Sequence, residues 1–98
     1  MRTEINNNET VIFTDKRIDA ASAPKFDAEV KKVLAEGVET LVIDLAETTY
    51  ISSLGLRVFL FAQKKLMASG GELRVEHSSP AIREIFEVTG FSGIIQLV

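Results

Sequence analysis

Cysteine and tryptophan are absent from this chain, and histidine occurs once, as His77. Without cysteine there is no disulfide framework and no thiolate metal site. A single imidazole with no thiolate beside it argues against a zinc site. Lysine and arginine never cluster into a run. Acidic and basic residues are mixed along the chain, and the net charge is −3. A stripe able to follow phosphates is therefore missing, and nucleic acid is not an expected partner. Long apolar runs are missing too. The longest, Val58 to Ala62, is far too short to span a bilayer. Met1 to Thr10 is polar and has no apolar core of a signal peptide, so a cytoplasmic location and no membrane insertion are expected.

What remains is enough for one small domain over residues 1–98. Hydrophobic residues, at 46%, can fill a core, and six phenylalanines supply most of its bulk. Thr3 to Ile5 and Thr10 to Phe13 read as strands around a turn at Asn6 to Asn8. Ser22 or Ala23 can cap a first helix, with Pro24 in its first turn and Gly37 as its stop. Phe26, Val30, Val33 and Leu34 form its apolar face. Leu41 to Leu45, four apolar residues in five, read as a strand buried on both faces.

A second helix is expected over Leu54 to Ala68. Its inner face is read as Leu56, Phe59, Leu60, Leu66 and Met67, with Gln63 among them, and Gly70 and Gly71 end it. Glu72 to Val75 is a short strand. Ser79-Pro80 is a cap and first position for a third helix, whose inner face is Ile82, Ile85 and Phe86. Ile94 to Val98 is a last strand or a short helix. The order predicts an α/β fold, a mixed four- to five-stranded sheet with three to four helices on one side.

The segment Tyr50-Ile51-Ser52-Ser53-Leu54-Gly55-Leu56-Arg57-Val58 leaves the buried strand and enters the second helix. Ser53 is read as the helix cap, at a terminus whose free N–H groups and dipole favour an anion. A phosphate there would add about −1.5 to −2 charges. On a helical wheel Arg57, Val58, Phe61 and Lys65 point away from the inner face. Val58 and Phe61 are then either a contact patch beside Ser53 or packing against a neighbouring helix.

This segment resembles the switch segment of STAS domains, the fold of the anti-sigma factor antagonists. The resemblance spans nearly the whole chain. It includes Arg17-Ile18-Asp19-Ala20 with Ala23-Pro24, Leu41 to Leu45, Gly70-Gly71, and Pro80 to Gly90 ending in Val88-Thr89-Gly90-Phe91. Aligned on Gly55-Leu56, the family pattern Asp-Ser-Ser-Gly-Leu places its first serine on Ser53, its aspartate on Ser52 and its second serine on Leu54. Lys16 stands where the family often has glycine.

The resemblance implies Ser53 as the phospho-acceptor of a partner kinase. It implies Asp19, Ser52, Leu54, Gly55, Arg57, Val58 and Phe61 as the partner-binding surface. The partner would be an anti-sigma factor that is also a serine kinase, with a serine phosphatase reversing the modification. No cofactor and no catalytic residue are expected, and the chain is expected to be a monomer. A different reading is a constitutive STAS subunit that scaffolds a complex or regulates a transporter ATPase. Asp44, Ser53 and His77 can be written as a catalytic triad, but Ser53 lacks the Gly-x-Ser-x-Gly turn. Glu36, Glu39 and Glu47 read as solvated charges.

Overall fold

The computed structural model describes all residues, 1–98. The elements in chain order are β1 (Arg2–Asn6), β2 (Glu9–Phe13), β3 (Arg17–Ile18), α1 (Ala23–Ala35), β4 (Thr40–Asp44) and β5 (Tyr50–Ile51). They continue with α2 (Ser53–Ala68), β6 (Glu72–Glu76), α3 (Pro80–Val88), a 3-10 turn at Phe91–Gly93, and β7 (Gln96–Leu97). β1 and β2 form a hairpin whose tight turn places Asn7 at φ 54°. Asparagine tolerates that left-handed region better than most residues.

The main sheet has five strands in the order β1-β2-β4-β6-β7. Only β1 is antiparallel; the other pairs are parallel. Each crossover advances one strand in the same direction. Right-handed crossovers of that kind put every helix on one face. The core lies between that face and the helices, where Ile12, Leu41, Ile43, Leu45, Leu73 and Val75 meet Phe26, Phe59 and Phe86. The three rings meet in sequence, one pair tilted and the other edge-to-face. Phe59 is 5.3 Å from Phe26 and 5.4 Å from Phe86, so one residue of α2 joins α1 to α3. The last segment, Ile94 to Val98, takes the strand alternative, with Gln96 and Leu97 beside β6, and the 3-10 turn lies just before it.

Helix ends follow local chemistry. Ser79 accepts the Ile82 N–H and Pro80 follows it at the first helical position. α1 ends two residues before Gly37, whose φ of +79° suits a residue without Cβ. Ser22 precedes α1 but makes no capping bond to its first turn. Its hydroxyl instead donates to the Arg17 carbonyl.

The expected inner face of α2 needs correction. The buried residues are Gly55, Leu56, Val58, Phe59, Ala62 and Leu66, whereas Leu60 is half-buried and Met67 is 68% exposed. α2 packs on the sheet and along α1 at once, so its buried arc is wider than one apolar stripe and turned toward α1. Val58 is only 5% exposed and packs in the core.

Candidate functional site

The site is built where two short strands meet. β3 and β5 are parallel, with Arg17 beside Tyr50 and Ile18 beside Ile51. The Ser52 N–H donates to the Ile18 carbonyl at 2.7 Å, and the Thr49 N–H to the Lys16 carbonyl at 2.7 Å. The next step of this register brings the loop at Asp19 alongside Ser52 and the start of α2. Beneath it, the buried Thr48 hydroxyl bonds to Thr14 and to the Asp15 carbonyl, tying the two incoming loops together.

Ser52, not Ser53, is the helix cap: its backbone is extended and its hydroxyl accepts the Gly55 N–H. Ser53 is the first residue of the helix and is exposed. Both serines qualify as caps by type, and a one-residue shift is beyond what a pattern decides. The consequence is chemical. The cap hydroxyl of Ser52 is engaged, while the Ser53 side chain stands in solvent over the first turn, where the helix dipole favours negative charge.

Gly55 is buried because α2 crosses β3 and β5 closely. A Cβ there would lie 2.6 Å from the Ile18 Cγ2 and 2.9 Å from the Ile51 Cγ2. Gly55 therefore sets how closely the helix approaches Ile18 and Ile51. Both Gly55 and Val58, expected at the surface, are buried positions.

Asp19 closes its own loop. Its Oδ1 accepts the Ala21 N–H at 3.1 Å and the Ser22 N–H at 3.2 Å, and its Oδ2 accepts from the Arg17 Nε at 3.4 Å. The Ser22 backbone bond, helped by those to Ala21 and Arg17, holds the carboxyl below its ordinary range. Arg17 also lies over the Tyr50 ring, 4.6 Å from its centre.

Between α1 and α2 runs an open groove of about 420 Å³, lined by Ala23, Pro24, Asp27, Leu54, Arg57, Val58 and Phe61. Leu54 is 43% exposed at its rim, and Val58 forms part of its wall. The Lys31 and Lys65 ammonium groups lie 5.3 and 5.7 Å from the centre of the Phe61 ring. The groove thus joins four of the expected surface residues into one concavity next to Ser53. Ala23, Pro24 and Asp27 were missed as lining. Their only sequence signal was the Ala-Pro pair at the start of α1. A larger concavity of about 590 Å³ lies at the other end of the sheet, by Gly37 and Gly70.

The triad does not assemble. His77 Nδ1 pairs with Asp44 Oδ2 at 2.8 Å, and that bond, with the Asp44 charge, raises the imidazole pKa above 6.5. No hydrogen bond links Ser53 to His77. Glu36, Glu39 and Glu47 are exposed and separate.

The family model for the STAS domain matches residues 1–98, and the chain belongs to that family. An anti-sigma-B factor antagonist of Listeria monocytogenes is 37% identical over 86 residues, covering 88% of this chain and 75% of that one. Across curated relatives the chain spans 66% to 84% of their length. Among solved structures, an anti-sigma factor antagonist from Mycobacterium paratuberculosis superposes with a TM-score of 0.88 at 27% identity, covering 98% of this chain and 81% of that one. The Bacillus cell fate determinant SpoIIAA in its phosphorylated form shares the fold, with a TM-score of 0.77 at 18% identity over 99% of this chain and 89% of that one.

Proposed function

We propose that this chain is an anti-sigma factor antagonist that works by partner switching, with Ser53 as the phospho-acceptor. In the unphosphorylated state the first turn of α2, the Asp19 loop and the groove at Leu54, Arg57 and Phe61 bind an anti-sigma factor that is also a serine kinase. A sigma factor is thereby freed. The kinase supplies ATP and magnesium, and its γ-phosphoryl group passes to the Ser53 hydroxyl, whose proton leaves.

The observation that carries this reading is the exposed Ser53 on the first turn, beside a groove with apolar walls. A dianion at that point meets the helix N-terminus within its own chain, so the fold tolerates it. In an interface the same charge must be desolvated without a partner. A hundredfold loss of affinity needs only about 2.7 kcal/mol.

A constitutive STAS subunit is the second reading. It draws support from Ser52, a neutral cap in the position where the family pattern has aspartate. Phosphate-affinity electrophoresis of the protein from its native cells separates the two. A shifted band in wild type that disappears in Ser53→Ala supports the switch. An unshifted wild type, under conditions that activate and silence the response, favours the constitutive subunit.

A further inference from the structure

On the open face of the sheet, three metal-ligating side chains converge at the ends of two neighbouring strands. Asp44 and Glu76 are register partners on β4 and β6. By strand alternation both side chains leave the helix-covered face, opposite Ile43 and Val75. His77 follows Glu76 and by alternation would turn the other way. It adopts φ 60° instead, a left-handed conformation few side chains take up. Its ring comes to lie against Asp44. One carboxylate oxygen from Asp44, one from Glu76 and one imidazole nitrogen then all lie within 4.8 Å of one another.

We propose that Asp44, Glu76 and His77 form a binding site for a divalent transition-metal ion of the zinc class, with water in the fourth position. Asp44 is the fixed ligand: it is 7% exposed, and its Oδ1 accepts the Ala46 N–H, which leaves Oδ2 for the site. His77, 64% exposed at its side chain, leaves the fourth position open to solvent. The two carboxylates of this corner are held by His77, 2.8 Å from Asp44, and more loosely by Arg74. Arg74 spends its close contact on Glu9 and reaches Glu76 only at 3.7 Å. With the His77 proton displaced, a divalent cation would balance the two carboxylates, and the imidazole selects zinc, nickel or cobalt over magnesium or calcium.

Binding replaces the proton shared by Nδ1 and Oδ2 with the metal. The 2.8 Å pair must open to roughly 3.3 Å, the spacing of two ligands at about 2.0 Å in a tetrahedral centre. That is a small rotation for an exposed ring. Counting cysteines and histidines in the sequence cannot find such a site, since two of its three ligands are carboxylates brought together by strand register.

The test is calorimetric titration of the whole chain with zinc chloride in a non-chelating buffer near neutral pH, with cobalt absorption as a second readout. The expected result is one ion per chain, a cobalt spectrum of tetrahedral type, and affinity at least about tenfold weaker in His77→Ala and in Glu76→Gln. Both variants change exposed or half-buried side chains, so they should remain folded, as circular dichroism would verify. Magnesium at the same concentration should give no heat. The proposal is overturned if wild type shows no stoichiometric zinc binding below about 100 µM. It is equally overturned if His77→Ala binds zinc as tightly as wild type, which would place the ion elsewhere, for instance at the Met1 amine and Asp15.

Discussion

Two adjacent serines carry opposite burdens. Ser52 caps α2, so Ser52→Ala should lower stability by about 0.5–2 kcal/mol. Ser53 caps nothing, so Ser53→Ala should stay within about 0.5 kcal/mol of wild type, and Ser53→Asp likewise, because a carboxylate in the first turn suits the dipole. Urea midpoints measure all three. Gly55→Ala poses two opposed effects. Alanine in place of a helical glycine gains about 1 kcal/mol in propensity. The added Cβ meets Ile18 and Ile51 below 3.0 Å, and overpacking typically costs about 1–3 kcal/mol. Net destabilisation is expected; a stabilised variant would mean that β3 and β5 yield easily. Asp19 adds a pH dependence. Its folded pKa lies below the unfolded value of 3.8, so its contribution is complete above 3.8 and is lost as pH falls from there through the folded value. Asp19→Asn should flatten the acid limb of a stability–pH curve relative to wild type. An unchanged limb would remove Asp19 from the linkage.

Among the elements, α2 does most of the joining. Phe59 is fully buried between Phe26 and Phe86, so Phe59→Ala should cost about 3–5 kcal/mol. Met67→Ala, on the same helix but exposed, should change stability by no more than about 0.5 kcal/mol. Denaturant unfolding of the pair checks the helix phase directly. This phase marks the boundary of what the sequence discloses. Strong local signals were readable: the Ser79-Pro80 start, the Gly37 stop, the apolar run at Leu41 to Leu45. A helix that buries itself against a sheet and another helix shows no single stripe. From Val58 to Leu56 its buried arc covers about 160° at 100° per residue, so a narrower face fitted by eye takes in Met67 and leaves out Val58. β3 and β5 are two residues each, too short for any period to register, yet they place Asp19 beside the α2 terminus. Ser53, Leu54, Arg57 and Phe61 were legible as a surface because their segment is distinctive. The α1 side of their groove was not, because it depends on how two helices pack.

At the scale of the molecule, one-directional crossovers segregate its surfaces. All helices lie on one face, and the other face of the sheet carries Arg74 bound to Glu9 across β4, with Val42 buried beneath. The outer edge strand β1 is five residues long and carries Arg2 and Glu4, charges that discourage strand pairing with a second copy. A monomer is the expected state in sedimentation at micromolar concentration, and a stable dimer would point to an interface this account lacks. In the proposed function the partner surface is on the helical face, at the end where Ser53 stands. Calorimetric titration of the kinase-type anti-sigma partner with wild type and Ser53→Asp tests this most directly. The expected result is roughly hundredfold weaker binding for the variant, about 2.7 kcal/mol, with an unchanged unfolding midpoint. Equal affinity of two equally folded proteins would contradict the assignment of Ser53 as the switch.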